Sequence, residues 1–104
     1  MYSHLENKAN LARAVANPTR IAILELLLAR GEVCVCDIAV EVGVSQPSAS
    51  KHLGLLRNRG LVLHRKDGLR VLYRLSDNSV RILIETLGEI AGDLKAQMRE
   101  VVDR

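Results

Sequence analysis

Cys34 and Cys36 are the only two cysteines of this 104-residue chain, and a single valine separates them in GEVCVCDIA. Thiolates are nucleophiles and soft metal ligands, so a close pair offers either redox chemistry or chelation. A structural disulfide is the poorer expectation: the loop between residues 34 and 36 is too small to constrain the unfolded chain, and the bond would be strained. In a regular α-helix, residues i and i+2 project about 200° apart. If both thiolates are to hold one ion, the helix that starts here must begin in a non-helical conformation or unwind. A helix N-terminus also favours the thiolate form. Cysteine is equally a common small core residue, and that alternative stays open on the residues alone.

The elements that must position the pair follow from periodicity and punctuation. Leu5 to Ala16 reads as a helix with Leu5, Ala9, Ala12 and Ala16 on one stripe. Asn17-Pro18-Thr19 breaks it and opens a second helix to Arg30, with Ile21, Leu24 and Leu28 inward and Gly31 as its stop. A short helix from Cys36 to Val42 ends at Gly43. Ser45 then caps a helix to about Arg59, with Pro47 in its first turn and Ala49, Leu53 and Leu56 inward. Two helices joined by Gly43-Val44-Ser45 make a helix-turn-helix. Val62, His64 and the run Leu69 to Leu75 read as two strands around an Asp67-Gly68 turn, a wing. Asp77 or Ser76 caps a last helix to about Val102. Its apolar positions Val80, Leu83, Ile84, Leu87, Ile90, Ala91, Leu94, Met98 and Val101 recur at three- and four-residue steps.

The expected fold is mainly α with a β-hairpin wing, a winged helix-turn-helix in the order α-α-α-α-β-β-α. Residues 1–104 suit one domain for DNA binding and dimerisation. The chain has no Phe or Trp and two Tyr, so Leu, Ile, Val and Ala must build the core. The last stripe is longer than a small core covers, which makes it and the first helix the expected two-fold interface of a homodimer.

Charge supports a nucleic-acid partner. Between Ser45 and Arg74 stand seven basic residues against the single acid Asp67; this net +6 leaves −3 for the rest of a chain of net charge +3. Side chains at the start of a recognition helix reach base edges, and flanking cations hold phosphates. The expected DNA-facing residues are Ser45, Gln46, Ser48, Ser50, Lys51, His52 and Arg57, with His64, Arg65, Lys66 and Arg70 on the wing. Gln46 suits an adenine edge and Ser48 either base type; Lys51 and Arg57 suit phosphates, and Ser45 is also the helix cap. Tyr73 is expected to pack at the wing base rather than stack on a nucleotide.

The run GEVCVCDIAVEVGVSQPSASKHLGLLRNRGLVLHRKDGLRVLYRLSD, with the preceding ANPTRIAILELLL, resembles the ArsR/SmtB family of metal- and metalloid-responsive repressors over nearly the whole chain. CVCD is similar to the cysteine motif of the family's arsenic- and cadmium/lead-sensing members. The resemblance implies a homodimeric repressor on palindromic double-stranded operator DNA, with Cys34 and Cys36 as thiolate ligands. It implies arsenite or antimonite, As(III) or Sb(III), as inducer, with Cd(II), Pb(II) or Zn(II) as alternatives and no permanent cofactor. Chelation would distort the first motif helix, shift the recognition helix and release DNA.

The chain departs from the pattern in three places. Arsenic sensors often carry a third cysteine where this chain has Ala39. Cadmium/lead sensors take further cysteines from the N-terminal arm of the other subunit; this arm offers His4 and Glu6, which suit a mixed site for a borderline metal. On the last helix, where other members bind zinc, Asp77 is present but Ser79, Ile90 and Asp93 replace the remaining ligands, so Asp77 reads as a cap.

The competing expectation keeps the repressor and makes the thiols a redox or persulfide sensor, or gives them no sensing role. A thiol-disulfide enzyme lacks its βαβ context, and no Ser/His/Asp or paired-carboxylate arrangement suggests another enzyme. No apolar run of about 18 residues spans a membrane. The polar Met1 to Asn10 does not read as a secretory signal, which makes the cytoplasm the expected location.

Overall fold

A computed structural model describes the backbone of residues 2–103 and the side chains of residues 3–92. The elements are α1 (Tyr2–Val15), α2 (Pro18–Arg30), β1 (Val33–Cys34), α3 (Val35–Val42), α4 (Gln46–Asn58), β2 (Val62–Asp67), β3 (Arg70–Leu75) and α5 (Asn78–Asp103). This is the expected winged helix-turn-helix with one added element: β1 turns the hairpin into a three-stranded antiparallel sheet of order β1-β3-β2. Cys34 pairs with Leu72 and Val33 with Tyr73.

Local chemistry accounts for the helix ends. The Asn17 side chain accepts the Arg20 backbone N–H at 3.1 Å, and Pro18 opens α2 where no donor is needed. Gly43, at φ 80° and ψ 37°, takes the left-handed conformation that stops α3, its N–H bonding the Ala39 carbonyl at 2.9 Å. Ser45 accepts from the Ser48 N–H at 3.2 Å to start α4. Asp77, not Ser76, caps α5, its Oδ1 accepting from Ser79 N at 2.8 Å and Val80 N at 3.3 Å.

Ile23, Leu24, Leu27, Ile38, Leu53, Leu56 and Val62 are fully buried and hold α2, the motif and the wing base together. Ala49, Leu53 and Leu56 face inward as expected. On α2 the buried set is Ile23, Leu24 and Leu27, while Ile21 and Leu28 are half-buried: α3 and β3 both pack against this helix and rotate its inner face. On α1 the inner residue is Ala14. Leu5 and Ala12 are exposed and Ala16 lies beyond the helix, because α1 packs on α2.

The wing turn falls one residue later than expected. Asp67 is the last residue of β2 and pairs with Arg70, leaving Gly68-Leu69 as the central pair. Of these two only Gly68 has a positive φ, 65°, the pattern of a II′ hairpin turn with glycine first.

Candidate functional site

Cys34 ends β1 in extended conformation (φ −77°, ψ 155°) and caps α3; Cys36 lies in the first turn of that helix. The pair therefore escapes the opposed directions of i and i+2 in a helix. The helix begins after Cys34, and no unwinding is needed to bring the sulfurs to 2.7 Å of one another. Cys34 is buried and Cys36 exposed. The Asp37 N–H donates to Cys34 Sγ at 3.4 Å, so the sulfur takes the place of the usual capping oxygen.

Two opposed effects act on Cys34. Burial pushes its thiol up, but hydrogen bonds from the Cys36 thiol, the Asp37 backbone and the Arg70 guanidinium outweigh it and hold the group below its ordinary value. Cys36 moves the other way: its proton is held by the Cys34 sulfur, and desolvation and the Asp37 carboxylate add to the rise. Cys34 is thus the first of the pair to ionise. Arg70 is correspondingly stabilised as a cation by Cys34.

Asp37 joins the cysteines: one ligand atom from each of Cys34, Cys36 and Asp37 lies within 4.8 Å of the others. It is the one such group among the described residues. His4 and Glu6 stand exposed on α1, outside it. Ala39 is buried, so the place of a third thiol is occupied by core. The thiols open into a groove of about 330 Å³ whose lining includes Gln46 and Ser50 of α4 and Leu69, Arg70 and Val71 of the wing. Neither Asp37 nor Arg70 stood out as a partner of the thiols in the sequence. The CVCD spacing hinted at the first; only the β1–β3 pairing brings the second.

The expected DNA-facing residues divide into free and engaged groups. Gln46, Ser50, Lys51, Lys66 and Arg70 are exposed, and Ser48 is half-buried. His52 is half-buried, its Nδ1 facing Arg20 Nη1 at 3.3 Å; burial, Arg20 and Lys51 push its pKa down. Arg57 reaches the His64 ring at 3.2 Å, and that ring stacks on Tyr73 with centroids 5.5 Å apart. Tyr73 is buried at the wing base, as expected. Arg65 donates from Nε and Nη2, one edge of its guanidinium, to the two carboxylate oxygens of Glu32, at 2.9 and 2.7 Å. This fork holds the Glu32 carboxyl below its usual range. Arg20 and Glu32 were missed by sequence reasoning, since both bonds span more than 30 residues.

Helix, turn, recognition helix and antiparallel wing define the winged helix-turn-helix class. Residues 17–63 match the family model "Bacterial regulatory protein, arsR family". An uncharacterised HTH-type transcriptional regulator of Methanocaldococcus jannaschii is 38% identical over 82% of this chain and 96% of its own length. The arsenical resistance operon repressor of Escherichia coli K12 is 50% identical over 64% of this chain, which spans 56% of that protein. A homodimeric winged helix-turn-helix DNA-binding domain from Mycobacterium bovis, a possible ArsR-family regulator, superposes with a TM-score of 0.82 at 35% identity. That match covers 88% of this chain and 84% of the other. The chain belongs to the ArsR family of transcriptional regulators.

Proposed function

We propose that the chain is a homodimeric repressor that leaves its operator when As(III), Sb(III) or a soft divalent metal occupies Cys34 and Cys36. The observation that carries this reading is the pair of sulfurs, 2.7 Å apart, facing a groove shared with the recognition helix and the wing. The similarity to an arsenical repressor supports the class of inducer.

The coupling differs from a simple distortion of α3. Metal–sulfur bonds of about 2.3 Å at a tetrahedral centre place two sulfurs about 3.8 Å apart. That is ordinary contact distance for two sulfurs, within reach of a pair whose side chains already face each other. Cys34 is hydrogen-bonded into the sheet opposite Leu72, and Gln46 and Arg70 border the same groove. An ion held there thus bears on both DNA-facing elements at once. Couplings of this kind are about 1–3 kcal/mol, or roughly 5–150-fold in affinity, and DNA weakens ion binding by the same factor. Gln46, Ser48 and Ser50 read base edges in this scheme. Lys51, Arg57, Lys66, Arg70 and, once freed, Arg65 hold phosphates across a palindromic site.

The test titrates the reduced protein, bound to a fluorescent duplex of its own upstream region, with arsenite, antimonite, cadmium, lead and zinc. Cys34→Ser replaces one capping group by a better one, and Cys36→Ser changes an exposed side chain, so both should fold and bind the duplex. Both should lose release. If wild type is released by none of the five, or the serine variants are released as readily as wild type, the sensing assignment is wrong.

A further inference from the structure

We propose that Leu69, at the wing tip, is an apolar wedge that enters the minor groove of the operator, opens one base step and bends the duplex there. This rests on the DNA-binding reading above and needs nothing of the thiols.

The turn gives the first argument. Gly68 and Leu69 are its central pair, and of the two only Gly68 has the positive φ that a II′ turn demands. The position after that glycine is usually polar, Asn, Asp or Ser. Leucine adds nothing to the turn, and it is fully exposed, the most exposed large apolar side chain among the described residues. A lone surface leucine is ordinary. This one is set apart by its place, the leading end of the wing in a DNA-binding fold.

The register gives the second. Side chains alternate faces along a strand, and residues paired across two strands share a face. Lys66 pairs with Val71 and Asp67 with Arg70, so Lys66 and Arg70 stand on opposite faces of the hairpin, with Leu69 between them at the tip. Both cations are exposed. A minor groove asks for this arrangement: an apolar lead, and a cation for the phosphate ridge on either side. Asp67, the acid of the tip, faces Arg70 across the strands, so its charge is answered where it stands. Two strands about 4.8 Å apart are too broad, with their side chains, for a groove about 6 Å wide. The Gly68-Leu69 end is narrower, since Gly68 has no side chain to obstruct entry.

The position of the tip gives the third. Leu69 borders the groove whose lining includes Gln46 and Ser50 of α4. With α4 in the major groove, the tip beside it meets the adjacent minor groove. An inserted side chain partly unstacks a step and kinks the duplex by about 20–90°, most easily at flexible pyrimidine–purine steps. The wing thereby selects sequence outside the bases that Gln46, Ser48 and Ser50 meet.

The experiment uses a duplex of the upstream region, dye-labelled at both ends so that energy transfer reports bending. Protection of the minor groove from hydroxyl radicals places the wing, and 2-aminopurine at the adenines there brightens where a base unstacks. Wild type should bend the duplex and brighten a step under each wing. Leu69→Ala, a change at a fully exposed position, should keep the wild-type Tm. It should lose the bend, the brightening and about three- to tenfold in affinity. Leu69→Met should restore all three. Neither variant removes a phosphate contact, so both should keep the wild-type slope of log affinity against log salt; Lys66→Ala should lower it. Replacing the pyrimidine–purine step under the wing by a stiff A-tract should weaken wild type and leave Leu69→Ala indifferent. A bound duplex that stays straight and stacked overturns the wedge and leaves the DNA-binding reading standing. A Leu69→Ala complex as bent and bright as wild type overturns it too, and leaves the leucine for a protein partner. A chain that binds no duplex sinks both readings.

Discussion

Arg20 donates to the carbonyls of Arg13 and Ala14 at the end of α1 and also faces the Nδ1 of His52, so one side chain ties α1 to the recognition helix. The contact requires a neutral imidazole with its lone pair toward the guanidinium. Burial, Arg20 and Lys51 all disfavour the imidazolium, and the folded-state pKa lies below the ordinary 6.5. The unfolded chain therefore takes up the proton first. The contribution of the neutral ring is complete above pH 6.5 and is lost as pH falls through the folded value. Thermal melts from pH 7.5 to 5 should show His52→Gln with a shallower fall in Tm than wild type; parallel curves would mean that the ring is indifferent to Arg20. Single residues of this kind were partly legible in the sequence. The CVC spacing marked the thiols, and Ser45 and Asp77 announced themselves as caps. What stands beside Cys34 was not legible, because Arg70 comes to the same groove only through a two-residue strand pairing that no local pattern encodes.

Among the elements, the wing carries an internal contest. Arg65 sits on β2 where a phosphate contact is expected, yet Glu32, just before β1, occupies the Nε–Nη2 edge of its guanidinium. Exposed ion pairs are weak and screened by solvent, so DNA can displace Glu32 at a cost of up to roughly fivefold in affinity. Glu32→Gln should therefore tighten duplex binding about two- to fivefold at low salt, an effect absent in an Arg65→Ala background. Arg65→Ala alone, which removes one phosphate contact from each chain of the dimer, should lower the slope of log affinity against log salt by about 1.8. An unchanged slope would make the pair a strut that braces β2 against the start of β1. The longer elements were legible because each has start and stop chemistry: Asn17-Pro18, Gly31, Gly43, Ser45. β1 was not, since two residues carry no period and exist as a strand only through β3. The turn was misplaced by one because Asp67-Gly68 satisfies a I′ hairpin as well as Gly68-Leu69 satisfies a II′ one.

On the scale of the whole molecule, apolar surface is left over. On α5, Val80 and Ile84 reach the core, but the same stripe continues through Leu83 and Leu87, 38% and 39% exposed, to Ile90 at 65%. Leu94, Met98 and Val101 continue the expected stripe outside the described side chains. On α1, Leu5 and Leu11 are exposed too. A second copy of the chain is the occupant that fits a two-fold repressor, since the stripe is self-complementary about a dyad and a palindrome offers two half-sites. Leu87→Glu with Ile90→Glu places two charges in that seam without touching the residues that hold the single chain together. The variant should keep wild-type helicity and sediment as a monomer. It should also lose about 10²–10⁴ in operator affinity, because the second half-site is no longer engaged at high effective concentration. Its salt dependence should fall toward half that of wild type, each chain then meeting only its own phosphates. A variant that remains dimeric and binds as before would put the interface elsewhere and leave the α5 stripe for a different partner.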